Sequence, residues 1–173
     1  MFKINDTVVY GTDGVCTVVD VAEKEFNGTV GKYFVLKPHF GPSMTIMVPM
    51  DNIVLVGKMH HVLSAEEAKK LISSIPLNNS VAWIEDEKKR KEEYRAIIFN
   101  GDRRELVGLI KTLYLHAEKQ KAAGKKLHAC DERFFKDAEK LLYEEFAVAL
   151  GIEKSEVLPY IASKLNRNDN MPE

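Results

Sequence analysis

The chain has 173 residues, 45% hydrophobic and 29% charged, which is the size and balance of one compact domain or two small ones and excludes wholesale disorder and collagen-like repeats. Twenty-five Lys and Arg stand against 26 Asp and Glu, a net charge of −1, so any pull toward nucleic acid or an anionic membrane has to be local. Two cysteines, Cys16 and Cys130, cannot build a disulfide framework or a Cys-rich metal site, and no apolar run reaches the roughly 18–20 residues of a membrane span, so a reduced, soluble, cytoplasmic protein with no membrane partner is expected.

The first 60 residues read as strands. Short β-branched or aromatic runs, Asp6–Tyr10, Val15–Val21, Tyr33–Lys37, Thr45–Val48 and Ile53–Val56, are separated by Gly11–Gly14, Asn27-Gly28, Pro38, Gly41-Pro42-Ser43 and Pro49. Five strands at this spacing predict a small antiparallel barrel or a strongly bent sheet. From residue 61 the period becomes helical, giving an α+β chain with a β domain over 1–60 and an all-α domain of about five helices over 61–173. Ser64 with Glu67 forms a capping box, and the helix it opens should end before Pro76. Ser80 is the expected cap of a long second helix that runs through Trp83 and Tyr94 to Asn100-Gly101. Asp102 with Glu105 caps a third, whose stripe is Leu106, Leu109, Ile110, Leu113 and Ala117. Asp131 opens a fourth, with Phe134, Phe135, Ala138, Leu141, Leu142 and Phe146 on one face. A fifth begins near Ser155 with Pro159 in or near its first turn, and the polar tail from Asn166 to Glu173 is expected to fray.

The near-neutral total hides an asymmetry. Residues 88–126 hold twelve basic and five acidic residues, a cationic stretch able to neutralise phosphates, or else a solvated helical face with i,i+4 pairs. Trp83, the single tryptophan, lies just before it; it either packs between helices or offers an apolar wedge to stacked bases. Catalytic signatures are missing: no GxxxxGK[ST], GxGxxG, HExxH or CxxC occurs. His39, His116 and His128 show no acidic or thiol partner at ligand spacing, and His60-His61 point apart. Cys16 reads as a core residue, and Cys130 precedes a helix start. The acid pairs Glu66-Glu67, Glu92-Glu93 and Glu144-Glu145 read as solvated. No enzyme, metal, cofactor or small-molecule substrate is expected.

Phe2–Tyr10 with Gly11 and Gly14-Val15, then Tyr33–Lys37, then Thr45–Pro49 with Asn52, resemble the opening module of the CarD family of bacterial transcription regulators, and of the RNA-polymerase-interaction domain of the transcription-repair coupling factor. Trp83, Asn100-Gly101-Asp102, Leu113-Tyr114, Asp131, Ala138-Glu139 and Leu142–Leu150 resemble its helical half. The resemblance implies that the β module is an SH3/Tudor-like β-barrel that docks on the polymerase β subunit through Lys24, Phe26 and Met47, with Ile46 and Val48 as neighbours. It also implies contact with promoter DNA at the upstream edge of the melted bubble, without sequence readout. There Trp83 would act as a minor-groove wedge and Lys88, Lys89, Arg90, Lys91 and Arg95 would hold phosphates, modulating open-complex stability. Met47 stands where relatives often carry Arg, and Glu85-Asp86-Glu87 intervenes between Trp83 and the basic run. The alternatives are a polymerase-binding adaptor without DNA contact and an RNA- or ribosome-binding SH3-like module.

Overall fold

The structure, a computed structural model, describes residues 2–26, 28–77 and 81–168, with the side chains of 26 and 166–168 also outside the description. Contacts divide the chain into two compact units, Met1–Val62 and Leu63–Glu173.

The first unit is a five-stranded antiparallel sheet: β1 (Thr7–Tyr10), β2 (Gly14–Phe26), β3 (Thr29–Pro38), β4 (Ile46–Pro49) and β5 (Met59–His61), in the spatial order β4-β3-β2-β1-β5. Side chains alternate across a strand, so one face of each strand goes to the core. Val8, Tyr10, Cys16, Val18, Phe34, Leu36, Val48 and Met59 form that core, with Phe2 and Ile46 packed against it. The β2–β3 register slips between Val18 and Asp20, a bulge that leaves Val19 exposed and bends the long hairpin.

The expected fifth strand, Ile53–Val56, is instead a single helical turn, α1 (Ile53–Val56). The Asn52 side chain accepts from the Leu55 amide, and the Gly57 amide closes onto the Ile53 carbonyl, so local capping wins over β-branched propensity. Ile53 and Val54 are left in solvent, and the strand role passes to Met59–His61, paired with β1.

The second unit is helical: α2 (Ala65–Ser74), α3 (Glu87–Asn100), α4 (Arg103–Ala122), α5 (Ala129–Leu150) and α6 (Lys154–Asn168). Ser64 and Glu67 make the reciprocal capping box, and Asp102 accepts from the Arg104 and Glu105 amides. Gly101 ends α3 at φ 67°, a left-handed turn that costs glycine least. The predicted stripes of α4 and α5 meet in one core of Tyr94, Ile98, Leu106, Leu109, Leu113, Phe134, Ala138 and Leu141. α3 starts later than expected, at Glu87 with Asp86 as its cap, and Trp83 precedes it in non-helical chain; the expected cap Ser80 lies outside the described residues. Pro159 is the sixth residue of α6, just past the first turn, and buried Val157 and Ile161 on either side hold the helix down. The end of the tail expected to fray, residues 169–173, lies outside the described residues. Glu144 and Glu145 are buried, not solvated. Lys154 pairs with Glu144 at 3.0 Å, while Arg103 and the Leu63 amide bond Glu145 at 2.7 and 3.0 Å. No described helix is long and apolar enough to cross a membrane.

Candidate functional site

In the sheet unit the predicted docking residues separate by face. β4 pairs with β3 along one edge, with Met47 opposite Val35 and Val48 opposite Phe34, and no described strand covers its other edge. Val35 lies opposite Asp20 of β2, so Asp20, Ala22 and Lys24 alternate along the face that carries Val35 and Met47. Met47 is half-buried and Lys24 exposed there. Val48 is fully buried on the opposite face and Ile46 packs beside it. Their side chains serve the core, so the part left to them in docking is the backbone of an edge strand. Phe26 pairs with Thr29 at the hairpin end; its side chain lies outside the described residues.

In the helical unit the site is built around Trp83. The Val81 amide reaches the Gly108 carbonyl, and the Thr112 hydroxyl donates to the Val81 carbonyl, which pins this segment along α4. Trp83 and Ile84 pack against the helical core. The indole is half-buried and stacks on His116 of α4 with ring centroids 3.5 Å apart and planes 12° apart. The Arg90 guanidinium carbon lies 4.6 Å from the indole centroid. A shallow cleft of about 460 Å3 beside the stack is lined by Trp83, Glu85, Thr112, Leu115, His116 and Lys119 among others.

Arg90 is not the exposed phosphate-holding group that its place in the basic run implied. Only 6% of it is accessible. Its Nε and Nη2 donate to the two carboxylate oxygens of Asp131 at 2.9 and 3.1 Å, and Nη1 donates to the Ile84 and Glu85 carbonyls. The fork ties α3 to α5 and to the turn that carries Trp83. Position in a helix explains this burial: Arg90 and Tyr94 are four residues apart and share the core-facing stripe. Asp131, expected as a helix opener, is the missed partner of Arg90; its burial at 1% accessibility is the signal that a sequence does not show. Lys88, Lys89 and Arg95 are exposed, and Lys91, half-buried, is paired with Glu87 one turn earlier. Of the three acids after Trp83, Asp86 is occupied as the α3 cap and Glu87 by Lys91. Arg103, another member of the basic stretch, is committed to Glu145. Burial holds the His116 imidazole below its ordinary value, with Lys119 and Arg90 pushing the same way against Asp131 and Glu85.

His128 does have a thiol partner: its Nδ1 lies 3.6 Å from the Cys130 sulfur, with a Glu87 carboxylate oxygen within 4.8 Å of both. The sequence separates Glu87 from the other two by some forty positions, and the approach of α3 to α5 brings them together.

Residues 2–62 match the family described as the CarD-like/TRCF RID domain, a span that starts one residue inside the first unit and ends with it. The sheet unit is therefore similar to a family of transcription-related, RNA-polymerase-interacting domains. The likeness runs on through the helical unit. The chain is 23% identical over 159 residues, 91% of its own length and 97% of the relative's, to a protein of Bacillus subtilis (strain 168) named "Putative transcription factor YdeB".

Proposed function

We propose that the sheet unit docks on the β subunit of RNA polymerase through the β4 edge and the face bearing Met47 and Lys24. We further propose that the helical unit offers Trp83 and the exposed cations of α3 to promoter DNA at the upstream edge of the bubble, and so modulates open-complex stability. The observation that carries this reading is an edge strand whose outer side no other described strand covers, with half-buried Met47 and exposed Lys24 on one face, inside the very segment that matches the polymerase-interacting family. An edge strand donates and accepts main-chain hydrogen bonds, and the side chains beside it select the partner. Trp83 supplies a large apolar plate, while Lys88, Lys89, Lys91 and Arg95 supply charge without base readout. In this reading Arg90 positions the indole and does not touch phosphate.

The test is retention of the full chain on immobilised polymerase β subunit. Retention that Met47→Asp removes supports docking; no retention of the parent chain refutes it. Open-complex lifetime with Trp83→Ala then tests the DNA contact.

The burial of Arg90 and the stacking of Trp83 on His116 also favour a second reading, a polymerase-binding adaptor that does not touch DNA. Normal docking with an open-complex lifetime indifferent to Trp83→Ala selects it.

A further inference from the structure

We propose that Glu87, His128 and Cys130 form a binding site for a zinc-type divalent ion at the junction of α3 and α5. Glu87 is the first residue of α3, His128 precedes α5 and Cys130 lies in its first turn. One ligand atom from each lies within 4.8 Å of the other two. Zinc bonds of about 2.3 Å to sulfur and 2.0–2.1 Å to imidazole nitrogen, set at a tetrahedral angle, require a sulfur–nitrogen separation of about 3.6 Å. Cys130 Sγ and His128 Nδ1 are 3.6 Å apart.

The donor set points to the same ion class. Sulfur, imidazole and carboxylate together suit a borderline-soft cation and do not suit magnesium or calcium, which take oxygen. Thiolate and carboxylate supply two negative charges and imidazole none, which offsets a dication. Three protein ligands leave the fourth corner to water.

His128 is also placed oddly for a helix cap. The caps of α2, α3 and α4 are Ser64, Asp86 and Asp102, each accepting a backbone amide, whereas His128 makes no side-chain capping bond and turns to Cys130 instead. His128 and Glu87 are exposed and Cys130 is part-exposed, so an ion can reach all three. Lys91 competes for Glu87, but a carboxylate has two oxygens and the ammonium pairs with one.

Binding replaces the thiol proton by the metal: the S–H bond breaks, a sulfur–metal bond forms, the proton passes to solvent and the ion sheds waters. No oxidation state changes. The bound ion would pin the start of α3 to the start of α5, one turn from Arg90 and one residue from Asp131, stiffening the seat of Trp83.

The experiment titrates Co²⁺, as a spectroscopic stand-in for zinc, into the reduced, metal-free full chain. The expected result is one equivalent bound with a thiolate-to-cobalt charge-transfer band, displaced by Zn²⁺ and unaffected by excess Mg²⁺. Cys130→Ser should abolish the band, and His128→Ala should weaken binding by about a hundredfold or more. Zn²⁺ should raise the Tm of the parent chain and leave that of the His128→Ala variant unchanged, each compared with its own metal-free form. Absence of the band in the parent, or a band that survives Cys130→Ser and so belongs to Cys16, overturns the proposal.

Discussion

Trp83 rests on a charged foundation that is closed to solvent. Asp131 and Arg90 are almost wholly buried as a two-pronged pair, and removing one member strands the other's charge at low dielectric. Arg90→Met is therefore expected to cost about 3–5 kcal/mol in urea unfolding, far beyond a surface charge deletion. Arg90→Met with Asp131→Leu should recover much of that loss, because no unpaired charge remains. An Arg90→Met cost near that of an exposed lysine would show the pair to be solvated. His116 adds a pH dependence. Its native pKa lies below the ordinary value of 6.5 because burial penalises the imidazolium, with Lys119 and Arg90 adding repulsion while Asp131 and Glu85 oppose it. Between 6.5 and the lower native value the unfolded chain binds more protons than the folded one. Stability from this residue is thus complete above pH 6.5, falls as the pH drops through that window and levels off below it. His116→Phe keeps an aromatic plate against the indole and removes the titration. Unfolding measured on either side of pH 6.5, read by the fluorescence of the one tryptophan, should lose part of its pH dependence in that variant.

The elements decide which substitutions report on docking and which on folding. Met47 and Val48 are neighbours on β4, yet one is half-exposed and the other fully buried beside Phe34 and Leu36. Val48→Ala should cost about 2 kcal/mol by leaving a cavity. Met47→Asp should cost under about 1 kcal/mol, the range of surface changes, while abolishing retention on the polymerase β subunit. Comparable losses of stability in both would mean that β4 has no outward face. Much of this architecture was legible: the capping box at Ser64, the stripes of α4 and α5 and four of the five strands follow from period and punctuation. Three of the features that were not show why. Ile53–Val56 carries β-branched residues at strand spacing, and only the Asn52 bond to the Leu55 amide shows that the turn is helical. Arg90 lies in a run of cations, and nothing local says that it alone faces Asp131, forty-one positions away. Glu144-Glu145 looks like any other acid pair until Arg103 and Lys154 close over it. Helical period tells which side of a helix is apolar. It does not tell which charged residue on that side has a partner waiting across the core.

At the scale of the whole molecule the proposed DNA contact requires a chain of net charge −1 to hold a polyanion. The buried pairs sharpen it, because Arg90 and Arg103 are withdrawn from the cationic stretch. Four cations on α3 remain for phosphates: exposed Lys88, Lys89 and Arg95, and Lys91 once Glu87 releases it. Each phosphate neutralised on duplex DNA contributes about −0.9 to the slope of log affinity against log salt, so four give about −3.6. Lys88→Gln or Arg95→Gln should flatten that slope by about 0.9 each and weaken binding uniformly across sequences. With contacts this few the isolated chain is expected to bind DNA weakly at physiological salt. In the proposed reading a docked sheet unit would change that by supplying a tether, and effective concentration can raise overall avidity by roughly 10²–10⁴ without one new DNA contact. The two effects separate experimentally. Met47→Asp should leave the salt slope of the isolated chain on duplex DNA untouched, yet erase its effect on promoter complexes formed with polymerase. Lys88→Gln should do the reverse to the slope while leaving polymerase retention intact. A Met47→Asp chain that still stabilises promoter complexes would mean that DNA, and not the polymerase, provides the anchor.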